Sequence, residues 1–167
     1  HYRFPTRSYD DFPLVEEMDR VNVCKLRCSD FIETTRLVSY AAAAEKNNPV
    51  FNGIYFEIKG SVFAMAATNT HRLATKDMSL TIPATSEGRM IVPSGILSDV
   101  CKLLPVEEDA EVEVSWAKSH AAFTFGNTYF ITNLISGQYP DYHRVIPSRF
   151  DVEAVFNLKE LSDAIRM

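Results

Sequence analysis

A chain of 167 residues with 46% hydrophobic content can bury a sizeable core and suits one domain or slightly more, which excludes disorder as its main state. Its 17 basic and 22 acidic residues leave a net charge of −5, so any DNA contact needs a local basic face rather than a broad basic excess. No run approaches the roughly 20 apolar residues of a membrane helix, and HYRFPTRSYDD lacks a signal-peptide core, so a soluble cytoplasmic protein is expected.

Residues 1–20, including DDFPLVEE, read as the tail of a preceding domain. NVCKLRCS alternates like a half-buried strand, with Cys24, Leu26 and Cys28 on one face. The 3 cysteines, an odd count without paired spacing, argue against a disulfide framework or a zinc knuckle, so Cys24 and Cys28 are expected as buried free thiols. DFIETTRLVSYAAAA then switches to helical spacing through Phe31, Leu37, Val38 and Ala41, with Asp30 and Glu33 as a capping box. Three strands follow. One carries Ile54, Phe56 and Ile58 on a single face, the next runs through Val62, Ala64 and Ala66 after a turn around Gly60, and the third is HRLATKDMSLTI.

Beyond the polar loop TSEGR the same order returns. RMIVP reads as a strand, SGILSDVCKLL as a helix, and AEVEVSW, HAAFTF and TYFITNLI as strands, the last two joined at Gly126 and Asn127. Strand, helix and three strands thus occur twice, an internal repeat of about 55 to 60 residues. Two such units make an α+β domain of antiparallel sheets packed on two helices. PDYHRVIPSRFD, with two prolines and little alternation, reads as a connector into a further domain. That domain opens with a strand at VEAVFN and a helix at NLKELSDAIRM, boxed by Asn157 and Glu160. The chain starts at His1 and stops inside that helix, and so reads as a piece of a longer protein.

Of the 4 histidines, only His71 and His143 have suggestive neighbours. A hydrolase would need Ser136 near one of them and Asp141 as the orienting carboxylate. No nucleophile elbow, phosphate-cradling glycine loop or two-histidine metal spacing accompanies them, so no enzyme, cofactor or metal site is expected. His71 and Arg72 in ATNTHRLAT have two other readings. They are a strand-edge pair that only bonds neighbouring loops, or, with QYPDYHRVIP, the donors at the edge of a shallow apolar groove.

ATNTHRLA resembles the signature A-T-D-G-H-R-L-A of bacterial DNA polymerase sliding clamps, the DNA polymerase III beta subunit family. SGQYPDYHRVIP is similar to the segment joining that family's middle and third domains, and FNGIYFEI, MIVPSGILSDVCKLL and FNLKELSDAI fall in family-like order. The resemblance implies a DNA-clamp fold in which residues 21–145 form the middle domain and 146–167 the linker and start of the third. It implies a ring of two chains around duplex DNA, holding the replicative polymerase subunit, the clamp loader and other peptide-motif proteins, with this fragment alone monomeric. It further implies a partner-peptide groove formed by Phe51, Thr68, Thr70, His71, Arg72, Leu73, Pro140, Arg144 and Val145. Arg36, Lys46, Asn47 and Lys102 are its DNA-facing candidates. Two departures stand out: Asn69 and Thr70 replace the signature's Asp-Gly, and Ser94 and Gly95 occupy places where relatives often carry basic residues. A free-standing interaction domain of the same fold stays open beside the tether.

Overall fold

The computed structural model describes residues 3–6, 8, 22–44 and 48–166. Of the expected domain tail at residues 1–20, all but 3–6 and 8 lies outside the described residues, as do Lys46 and Asn47. The chain opens with β1 (Asn22–Arg27), which turns Cys24 and Leu26 inward, and passes directly into α1 (Cys28–Ser39). Cys28, Phe31, Thr34, Thr35 and Val38 form the buried stripe of α1 at helical spacing, whereas Leu37 faces outward. The expected Asp30–Glu33 capping box is absent. The helix starts two residues earlier because Cys28 is fully buried, and its N–H bonds the Ala110 carbonyl at 2.8 Å, so a tertiary contact serves a group that a cap would serve. Asp30 instead pairs with Arg27 at 2.9 Å. Cys28 is thus helical rather than a strand residue, and α1 ends at Ser39 rather than running through the alanines.

A 3-10 turn at Pro49–Asn52 leads into β2 (Gly53–Lys59), β3 (Val62–Thr68) and β4 (Leu73–Ser79). The second unit comprises β5 (Gly88–Pro93), α2 (Ser94–Leu103), β6 (Glu111–Trp116), β7 (His120–Phe125) and β8 (Thr128–Asn133). Gly60 and Gly126 make the expected turns with φ of +57° and +52°, a conformation that costs glycine little. The two units open at Asn22 and Gly88, farther apart than the expected repeat, because the loop after β4 is long.

Two four-stranded antiparallel sheets result, ordered β1-β6-β7-β8 and β4-β3-β2-β5. Each unit lends its opening strand to the other's sheet. β1 pairs with β6 through Cys24↔Val114 and Leu26↔Val112, and β5 pairs with β2 through Ile54↔Val92 and Phe56↔Met90. The sheets are also laced at their edges. Beyond β4, the Thr81 N–H bonds the Lys25 carbonyl at 2.9 Å, and beyond β8 the Ile135 N–H bonds the Ile91 carbonyl at 2.9 Å, which covers the outer edges of β1 and β5.

Phe31 of α1 sits at the centre of the core. Its ring meets Phe56 and Phe63 of one sheet at 6.2 and 6.4 Å and Phe123 of the other at 5.7 Å, each edge to face. In β3 the core side is Phe63, Met65 and Ala67, the opposite phase to the expected Val62, Ala64 and Ala66. Ala64 and Ala66 are nonetheless buried, because the segment after β8 crosses the outer face of this sheet. Cys24, Cys28 and Cys101 are free. Burial pushes all three thiols up, Cys24 to about 12, which keeps them neutral at ordinary pH.

α3 (Leu158–Arg166) starts where expected, with the Asn157 Oδ1 accepting the Lys159 and Glu160 N–H groups at 3.0 and 3.3 Å. VEAVFN before it is not a strand: its residues are exposed, and no strand pairs with it among the described residues. Among the described residues, no helix is long and apolar enough to cross a membrane.

Candidate functional site

Thr68 closes β3 and Leu73 opens β4 as its register partner, so residues 69–72 form a tight connection at the sheet's end. Side chains within this turn build it. The Asn69 Oδ1 accepts the His71 and Arg72 N–H groups at 3.2 and 3.1 Å, an arrangement asparagine adopts readily. The Thr68 hydroxyl donates to the Arg72 carbonyl at 2.8 Å and accepts the Thr70 N–H at 3.1 Å. These bonds hold Thr70 at φ +75°, the one positive-φ non-glycine among the described residues. A β-branched residue is strained there. Thr70→Gly is therefore expected to raise stability by roughly 0.5–1 kcal/mol, read as a higher urea midpoint at constant slope. An unchanged or lower midpoint would show that the turn stores no strain. His71 and Arg72 project outward, Leu73 is half-buried, and the Arg72 guanidinium lies 5.6 Å from the centre of the Tyr40 ring.

The segment after β8 forms the second wall. Tyr139 stacks on Tyr55 at 4.8 Å and meets Phe51 edge-on at 6.3 Å, while its hydroxyl donates to the Ala66 carbonyl at 3.5 Å. Burial pushes this phenol up to about 12, so it stays a protonated donor across the physiological range. Tyr142 packs edge-on to Tyr55 at 6.1 Å and is hydrogen-bonded with Thr75. Next to it, the His143 Nε2 reaches Glu57 at 3.3 Å, and Glu57 also holds Arg89 at 3.0 Å. The connector is thereby pinned across β2 and β3. The antiparallel register brings the residues preceding β2, Phe51 among them, to the same end of the sheet as the 69–72 turn. A cleft of about 780 Å³ opens along β2 and β5, with Pro140 and Asp141 on its rim.

The family model described as the DNA polymerase III beta subunit, central domain, matches residues 25–141. The chain belongs to the DNA polymerase III beta subunit family. The beta sliding clamp of Pseudomonas aeruginosa is 30% identical over 166 residues, covering 98% of this chain and 44% of that protein. A solved sliding clamp from Bacillus subtilis shares the fold with a TM-score of 0.88 at 24% identity, over 94% of this chain and 41% of that one. The P. aeruginosa beta subunit superposes with a TM-score of 0.76 at 30% identity, over 83% of this chain and 38% of that one. The chain thus spans less than half the length of the relatives it matches.

Within this beta-subunit domain, Thr68, Thr70, His71, Arg72 and Leu73 share one turn, and Phe51 meets Tyr139, which precedes Pro140 and bonds Ala66 of β3. Val145 is 67% exposed. Arg144 is exposed, and its Nε is paired with Asp141 of its own chain at 3.0 Å. Ser136, Asp141 and His143 all line the cleft, but the acid that meets His143 is Glu57, while Asp141 is held by Arg144, so Asp141 is not the orienting carboxylate of that histidine. Among the DNA-facing candidates, Arg36 and Lys102 line one shallow groove between α1 and α2, and Lys102 is paired with Asp99 at 2.9 Å. The helix pair also carries Asp30, Glu33 and Asp99, so its surface is mixed rather than basic. Sequence reasoning missed Tyr40, Tyr55, Tyr139 and Tyr142. The outward phase of Tyr55 between Ile54 and Phe56 was the available signal for one of them.

Proposed function

We propose that this chain is the central part of a ring-shaped sliding clamp, the non-catalytic processivity factor of bacterial DNA replication. In this reading residues 1–20 end a first domain, 21–145 form the middle one, and 146–167 lead into a third. Two full-length chains close around duplex DNA in the cytoplasm, with α1 and α2 turned towards the hole and Arg36 and Lys102 beside the phosphates. Polymerase, clamp loader and other partners each insert a short peptide between the 68–73 turn and the connector. Leu73, Phe51, Pro140 and Val145 bury its apolar side chains, while His71 and Arg72 border it.

The observation that carries this reading is the convergence of the 68–73 turn, Phe51 and the pinned connector at one end of one sheet, in a member of this family. The net charge of −5 and the mixed helix surface support retention by linkage rather than by tight DNA contacts. A polypeptide of these 167 residues is expected to be monomeric by light scattering. Its hold on linear duplex DNA is expected to be weak and to fall steeply with salt, as for a few phosphate contacts without closure. Tight, salt-insensitive binding to linear DNA would contradict the proposal.

A further inference from the structure

We infer that Tyr40, the residue capping the C-terminal end of α1, is a positioning residue for Arg72 at the rim of the peptide groove. The inference rests on the groove reading above. Tyr40 is 59% exposed, yet its ring lies under the Arg72 guanidinium, 5.6 Å from centre to carbon. Arg72 forms no ion pair among the described residues, whereas Arg27, Arg89 and Arg144 each hold a carboxylate. The face of the Tyr40 ring attracts the cation. The backbone ties these parts together, since the Ala43 N–H bonds the Phe51 carbonyl at 2.8 Å and so fixes the end of α1 to the groove's apolar wall. A guanidinium lying on an aromatic face keeps its in-plane N–H donors free. Tyr40 therefore holds those donors in place for acceptor oxygens of an incoming peptide, which spares the ordering cost of a long side chain on binding.

The test is a fluorescence-anisotropy titration of the chain with a labelled peptide carrying a leucine and a terminal leucine–phenylalanine pair. Tyr40→Leu is expected to weaken binding roughly two- to fivefold, the worth of an exposed cation–π contact. Tyr40→Phe, which keeps the ring face, should bind like the unaltered chain. In an Arg72→Met background, Tyr40→Leu should have no further effect, an outcome that a merely structural role would not give. Equal weakening with and without Arg72, or none in either, overturns the inference while the groove reading stands. A second readout needs no peptide. The Arg72 side-chain protons should carry a ring-current shift in the NMR spectrum that Tyr40→Leu removes and Tyr40→Phe keeps, and its absence in the unaltered chain overturns the inference. If that shift is present but the unaltered chain and Leu73→Asp bind the peptide equally, the groove reading fails and takes the role of Tyr40 with it.

Discussion

Replacing Leu73 by aspartate is expected to abolish binding of a short peptide that carries a leucine and a terminal leucine–phenylalanine pair, leaving thermal unfolding almost unchanged. Leu73 stands where β3 and β4 meet the turn, half-buried and beside the polar groups of Thr68 and Arg72. In the free protein an aspartate at this strand end keeps its carboxylate in water, so the fold loses little. A bound peptide would have to bury that charge against its own apolar side chains. The cost is several kcal/mol, about two orders of magnitude or more in Kd. His71→Ala should weaken the same peptide far less, because an exposed border residue contributes less than a buried anchor. Equal affinity of the unaltered chain and Leu73→Asp would place the peptide site elsewhere.

Local patterns made most of the strands legible and left their partners hidden. Ile54, Phe56 and Ile58 alternate cleanly because β2 faces the core on one side, and all three are buried. VFAMAA reads in the wrong phase because β3 is covered on both faces, by Phe31 on one and by the connector on the other, so its pattern does not mark the core side. The exchange of β1 and β5 between sheets leaves no local trace, because pairing across such distances depends on the whole fold. The capping signal at Asp30 lost to a tertiary bond from Cys28. VEAVFN alternates as a strand does, yet a strand needs a neighbour, and the described residues supply none.

The candidate site divides the same way. The turn around His71 was readable through resemblance, and Thr70 at a glycine's place keeps the left-handed backbone that a glycine would adopt without strain. The tyrosines that pin the connector were not readable, because their importance arises only when that segment folds back over β2 and β3. Arg144 meets Asp141 three residues away, a short-range pair that spacing alone could have revealed.

Retention on circular DNA tests the central proposal most directly, because topology and charge make opposite demands on it. A full-length protein containing this domain, once loaded on a circular duplex, is expected to stay through a high-salt wash that strips proteins held by phosphate contacts. Cutting the circle once should release it, since a linked ring slides off a free end without any change in its chemistry. The measurement is the amount of protein that stays with the DNA after gel filtration in high salt, before and after a single cut. Retention on the intact circle and loss from the linear form are the expected result. Release from intact circles at moderate salt, or equal retention on both forms, would contradict the central proposal.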